Sequence, residues 1–510
     1  MTIKKKKAII ITLTTVLIFI GVSITLSTTT PQLPEQPRYH DSGLRRGLVV
    51  GTHWEPSSIA PAQHNNIISS HINAMNYNGL FRICSDTLMP IPDLVCSWEA
   101  ISDTVFEFTL REGVLFHNGD VLRSHDIVAS WIYARNYPYA AAVHERIVHF
   151  EAISDATIRI DTVEPHALLF HDLTHTGNMI MPKSLIESGH NFGALAVGTG
   201  PFVFQEKRLG NFMHHTVFEN YFDTERAARL EYVTWQVLPD ALHRGIALEI
   251  GEIDFDIYVQ RRNVDNYLAH PDIMVSITPG TAHHKLILNH NVPQFQNLYV
   301  RRALGMAIDK EAVLLAAGLA ELATPTWSQV PTIFEGGTDE GSYSFDPEGA
   351  RALLAKHGID PATLSFSIVG TNEERLSMGA VVQTNLADIG VEVTVTSVPI
   401  GSAYAAFGGF NSLTFLGYVR GVFLSESIGS SNRAYFSNDE VDELIRRAFA
   451  TMEHDERVVI YHEISRTVNE SVPHIPTHMS MVARAFNASL VVPETSPTGA
   501  LHLNMMYWRE

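Results

Sequence analysis

Phe106, Phe108 and Leu110 alternate with Glu107, Thr109 and Arg111, the period-two pattern of a half-buried strand. His117-Asn118-Gly119-Asp120 then supplies turn chemistry, with Gly119 free to take a positive φ. Ser124 is placed to cap a helix whose apolar stripe would be Ile127, Val128, Trp131 and Ile132. The same reading predicts a short buried strand over 47–51, a helix from 73 into 81, and paired strands over 148–162 turning at Ser154-Asp155. Leu242, Ile246 and Ile250 fall on one helix face that Gly251 would stop. Further on come a strand over 285–289, a helix striped by Val300, Leu304 and Ile308, and a helix opened by Asp346-Pro347 and closed by Gly358. A helix over 373–389 ending at Gly390, a strand over 391–398 and helices over 437–450 and 455–470 complete the series. Strands and helices alternate without an internal repeat, which predicts an α/β architecture.

Residues 98–131 carry more than a strand-turn-helix pattern. Ser97-Trp98-Glu99, Phe108, Leu110-Arg111, Gly113-Val114, Phe116-His117, Gly119, Asp126-Ile127-Val128 and Ser130-Trp131 together resemble the signature of the dipeptide/oligopeptide/nickel-type solute-binding proteins that serve ABC importers. Val197-Gly198-Thr199-Gly200-Pro201, the stretch from Pro239-Asp240 to Asp254, Val300-Arg301 through Asp309-Lys310, and Pro473 to Pro476 extend the resemblance over about residues 47–485. It implies a type II periplasmic-binding-protein-like fold of the large class, two lobes joined by a hinge. Lobe I would be residues 47–285 plus 475–510, with an inserted subdomain over about 82–190, and lobe II would be 286–474. It also implies a non-enzymatic, monomeric receptor without a cofactor, which traps a peptide-like solute by hinge closure and docks on permease subunits. A metal chelate or haem-like cargo on the same fold, and a membrane-tethered sensor domain, are the alternatives.

The same resemblance directs attention to the cleft. Trp54 and Glu55 stand in a loop that borders it in the family. Peptide-binding members carry a G-W-x-x-D loop after a strand in the second lobe. The matching stretch is read as residues 413–422, with Tyr418 for the Trp, Val419 after it as a further binding candidate, and Arg420 and Gly421 in the neighbourhood of the missing Asp. A guanidinium there suits a carboxylate rather than an ammonium. Trp327 is a further aromatic that could stack on ligand. Among 25 histidines, His171/His175 and His474/His478 share the i,i+4 spacing of helical metal ligands, although Pro473 and Pro476 argue against a helix at the second pair. No G-x-S-x-G elbow or H-E-x-x-H site is present.

Charge narrows the partners. The 510 residues carry a formal net charge of -19, which disfavours nucleic acid as a partner. Lys4 to Lys7 precede an uncharged apolar run over 8–26, the pattern of a secretory signal or a retained N-terminal membrane anchor. Residues 27–46 have linker composition, and the chain beyond them is expected outside the cytoplasm in a periplasmic or cell-surface setting. Cys84 and Cys96 could pair in an oxidising compartment or stand as free thiols, and their spacing fits no zinc motif.

Overall fold

The computed structural model describes residues 47–509 apart from 65 and 399–403. The expected signal or anchor and the linker lie outside the described residues. Fifteen strands and seven helices, named here in chain order, position the site. The strands are β1 (Gly47–Thr52), β2 (Val95–Ser102), β3 (Val105–Leu110), β4 (Ile147–Ser154), β5 (Thr157–Thr162), β6 (Phe202–Arg208), β7 (Phe212–Val217), β8 (Tyr232–Val237) and β9 (Phe255–Asp256). They continue as β10 (Ile273–Leu288), β11 (Ala323–Pro325), β12 (Ser365–Val369), β13 (Glu392–Thr396), β14 (Tyr404–Phe410) and β15 (His474–Asn487). The helices are α1 (Ile67–Asn76), α2 (Ser124–Ala134), α3 (Ala241–Glu249), α4 (Glu373–Asp388), α5 (Phe415–Phe423), α6 (Asp439–Ala450) and α7 (His454–Ser471).

One mixed sheet runs in the order β13-β12-β14-β10-β15-β9-β1-β8-β7-β6, with β11 added on β15. Its first half, β1 and β6–β9, surrounds a core of Leu48, Val50, Phe202, Val233, Trp235 and Phe255. In the second half, β12–β14 are mutually parallel. That half separates two further cores, one centred on Leu286, Leu304, Ile368 and Val382, the other on Leu416, Tyr418, Ile445 and Ile464. β10 and β15 are the members long enough to serve both halves. They pair antiparallel from Ile273↔Asn487 to Ile287↔His474, and the register shifts between Pro279 and His283 and again between His284 and Lys285. A separate antiparallel sheet, β2-β3-β5-β4, packs with α2 around Phe106, Phe108, Trp131 and Ile160, giving the inserted subdomain its own core.

The alternation read at 105–110 is realised, with Phe106, Phe108 and Leu110 buried. The Val-Gly-Thr-Gly-Pro loop packs rather than cradles a ligand. The His117 N–H donates to Gly198 O at 2.8 Å, His117 Nε2 meets Gly200 O at 2.9 Å, and the Gly200 N–H donates to Asn76 O at 3.0 Å. A Cβ on Gly198 would run into Asn76 O and the Tyr77 ring, and one on Gly200 into the backbone of residues 75–77. The loop therefore ties the subdomain's His117 turn to the end of α1. Gly200→Ala is expected to lose about 1–3 kcal/mol by overpacking, read as a lowered urea midpoint.

Three expectations are corrected. The helix expected from 73 to 81 ends at Asn76, and Phe81 opens a short strand, because Tyr77 takes an extended backbone and buries its ring. On α3, Leu242, Ile246 and Ile250 face solvent, while Ala241, Arg244, Gly245, Ala247 and Leu248 face inward. The inward face is set by Arg244, whose guanidinium reaches a buried carboxylate. On α2, Ile127 and Trp131 are buried but Ile132 is exposed, and the start is capped by a carboxylate of Asp126 on the Arg123 N–H (2.8 Å) rather than by Ser124. Cys84 and Cys96 are free thiols, and Cys96 Sγ donates to Thr109 O and Leu110 O.

Candidate functional site

The two sheet halves meet where β10 and β15 cross between them, and polar side chains concentrate there. On one face, Lys285 Nζ donates to Tyr418 Oη at 2.6 Å, and His283 Nδ1 is hydrogen-bonded to the same hydroxyl. Tyr418 in turn donates to Gln329 O at 3.1 Å, and Gln329 Nε2 donates to His474 O at 2.8 Å. Burial pushes the Lys285 ammonium down to about 7 and holds His283 and His474 far below the usual imidazole range. On the opposite face, the His284 and His478 rings stack at 4.4 Å, and His284 Nε2 meets Ser480 Oγ at 2.9 Å. A Cβ on Gly409 would lie 2.8 Å from the His284 ring, so the glycine admits that imidazole. Burial, and then the Arg375 and Lys285 charges, hold His284 at about 4. These histidines are neutral at physiological pH.

The expected cleft residues fall in several places. Trp54 is 60% exposed and tilts against His53, whose ring stacks on Tyr258 at 4.6 Å. The Glu55 carboxylate accepts the Gly210 N–H, closing its loop onto the β6–β7 turn. Trp327 covers a buried ammonium: Lys310 Nζ sits 3.4 Å above its ring and donates to Thr326 O at 2.8 Å. The stretch read as a strand-following loop is α5. The Thr414 side chain accepts the Gly417 N–H at 3.0 Å and starts the helix. Tyr418 and Val419 are thereby turned into the core, and Gly421 gives room to the Phe410 ring. Arg420 stays partly exposed and pairs with Glu145 at 3.3 Å. A glycine-aromatic step does stand at the end of a strand, where Gly409-Phe410 close β14. Its signal was the alternation of Ala405 and Phe407 running into two glycines.

The paired histidines separate by role. His175 Nδ1 accepts the Gly177 N–H at 3.0 Å as a local cap. His171 is half-buried, and desolvation lowers it to about 4. His474 and His478 lie on strand β15, not on a helix. Among the described residues no group of three or more His, Cys, Asp or Glu is arranged to hold a metal ion.

A seam joins the subdomain to the helices of the second half. The Ala167 N–H donates to Phe449 O at 3.3 Å, and the Arg146 guanidinium lies 5.2 Å from the Phe449 ring centre. Leu168 is packed into the core of α5–α7, and Met452 packs against the subdomain core. Beside these contacts is a half-open cavity of about 90 Å³, walled by residues 87–89 and 167, 168 and 171 on one side and 333–335, 413–415, 454, 457 and 461 on the other.

A sheet in two halves, joined by two continuous strands and facing each other across a polar crossing, defines a two-lobed solute-binding protein. Residues 89–415 match the profile of the bacterial extracellular solute-binding proteins, family 5 (middle), and the chain belongs to that family. It is 23% identical over 478 residues to the glutathione-binding protein GsiB of Salmonella typhimurium, covering 88% of this chain and 92% of that one. Its fold is similar to that of HbpA2 from Haemophilus parasuis, with a TM-score of 0.83 at 21% identity, covering 91% of this chain and 100% of that one. It is also similar to DppA, an ABC transporter-associated periplasmic binding protein from Helicobacter pylori in complex with the peptide STSA, with a TM-score of 0.75 at 21% identity, covering 91% and 98%. Such relatives are substrate-binding transport proteins rather than enzymes. No helix among the described residues is long and apolar enough to cross a membrane.

Proposed function

We propose that this protein captures a peptide or peptide-like solute outside the cytoplasm and delivers it to the permease of an ABC importer. Family membership over residues 89–415 carries the reading. Relatives that bind glutathione and the peptide STSA support the cargo class, since both ligands present amide backbones and a carboxylate. Lobe I is residues 47–285 with 475–510, the subdomain at 82–190 included, and lobe II is 286–474. The bulge between Pro279 and His283 is the flexing point. Closure sequesters solute, the closed form docks on the membrane partner, and no covalent step is required. The receptor acts as a monomer. Residues 1–26 either direct export and are removed or remain as a tether.

Native mass spectrometry of the protein purified from its own host is expected to show peptide adducts, and X-ray scattering a more compact particle once peptide is added. Peptides released as cleavage products, or a particle unchanged by every peptide tried, would sink the reading. Arg420→Ala separates two roles for that side chain. As a solute-carboxylate partner its loss is expected to weaken peptide binding at least about 10-fold, by removing a charge-assisted hydrogen bond. As a seam ion pair alone, partly exposed, it contributes at most about 1 kcal/mol to stability and leaves the Kd unchanged. Calorimetric titration with one bound peptide distinguishes them.

A further inference from the structure

We infer that the cavity between the subdomain and lobe II is a subsite for one uncharged apolar side chain, aliphatic or aromatic, of the captured solute. The inference rests on the peptide reading and adds to it the substrate chemistry. Leu88, Met89 and Leu168 line the cavity from the subdomain, and Phe334, Leu413 and Phe415 line it from lobe II. Its volume, about 90 Å³, is far below that of a pocket for a whole small ligand and is on the scale of one side chain.

The charged groups in its wall are already engaged. Glu335 meets His454 Nε2 at 3.0 Å. Arg457 donates to Thr451 O and Met452 O, both at 2.8 Å, and to Tyr461 Oη at 3.0 Å. His171 is held neutral near 4 by burial. A cationic side chain entering here would lose its hydration beside the Arg457 guanidinium, and an anionic one would find that guanidinium's N–H groups committed to neutral acceptors, whereas an apolar one gains by leaving water.

Two further features point to a ligand. Leu88 holds φ at +57°, a left-handed backbone that a bulky residue rarely adopts, and it is held there by its N–H to Cys84 O (3.0 Å) and by the Cys84 N–H to Met89 O (2.9 Å). Such strain persists where neighbouring structure fixes it and is concentrated at ligand clamps. Leu413 also belongs to the short segment leaving β14. In that segment, two residues earlier, Asn411 accepts a hydrogen bond from Thr281 at the strand crossing. A solute lying at the crossing can therefore place a side chain in the cavity along one continuous wall.

The test is calorimetric titration of the full chain with trialanine and with its variants carrying one Leu or one Phe at each position. At one position Leu or Phe is expected to bind about 10-fold more tightly than Ala, a fraction of what complete burial of the added carbons would give. Ala167→Trp and Leu413→Trp fill the cavity from opposite walls. Each is expected to abolish that gain, so that the Leu and Phe peptides bind a variant no more tightly than trialanine binds the same variant. Equal affinities across the series, or a gain that survives both substitutions, overturn the subsite and leave peptide capture standing. Binding by none of these peptides overturns peptide capture itself, and the subsite with it.

Discussion

Arg244→Met is expected to destabilise the protein by about 3–5 kcal/mol. Arg244 and Asp256 are both fully buried, with Nε to Oδ1 at 2.7 Å. The same guanidinium donates to Leu238 O at 2.8 Å and to Tyr258 O at 2.9 Å. Asp256 also accepts from the Tyr258 N–H at 3.1 Å and from Tyr267 Oη at 3.0 Å. Burial pushes the Asp256 carboxyl above the usual carboxylate range despite the pull of Arg244, so desolvation outweighs the attraction. The pair is therefore no great source of stability as a unit. Removing one partner is another matter: it strands a buried carboxylate and two carbonyls. Urea unfolding of Arg244→Met, Asp256→Leu and the double variant checks this. The double variant is expected to lose less than the two single losses added together. A loss below about 1 kcal/mol for Arg244→Met would contradict the account.

Lys285→Met is expected to stabilise the protein, and most strongly at and below neutral pH. The buried ammonium is hydrogen-bonded to Tyr418 and, among the described residues, pairs with no carboxylate. Its folded value of about 7 lies below its ordinary 10.5, so between those values the unfolded chain binds more protons than the folded one. Stability then rises as pH rises from 7 to 10.5, and below 7 the cost is constant at roughly 5 kcal/mol. Losing the Tyr418 hydrogen bond offsets about 1–2 kcal/mol, which leaves a net gain of about 3 kcal/mol. The groups facing Lys285 do not titrate in this window. His283 and His474 are pushed below the usual imidazole range and Tyr418 above the usual phenol range, all chiefly by burial. Chemical unfolding at pH 7 and pH 10 should therefore show a stability difference in the original protein that disappears in Lys285→Met. Equal slopes in both would mean that Lys285 keeps its charge without penalty.

The sequence was most legible where burial has one sign. β3 alternates because one face meets the subdomain core and the other does not. Asp346 and Thr414 mark helix starts through side-chain caps, yet only the first was recognised as a start. The glycine-aromatic step occurs twice, at Gly409-Phe410 and at Gly417-Tyr418, and composition alone does not say which one leaves a strand. The Thr414 cap resolves it by making the second step helical. The α3 face was misread because its inner stripe is small residues around a buried arginine, which carries no apolar periodicity. The long strand β10 is legible in the sequence only over 285–289, and Pro279-Gly280 interrupts the pattern before it. It is a bulge, with Gly280 passing so close to Ser480 O that a Cβ there would be 2.7 Å away.

That bulge limits how the receptor can move. Two antiparallel strands hydrogen-bonded on both sides of an interruption behave as a creased ribbon: they fold about the crease far more readily than they slide or swivel. The patch of β11 against Ser480, Met479 and His478 stiffens one side of the crease. On the proposed closure, such a crease would hold the jaws to a single arc and return the mouth to the same registration at every cycle.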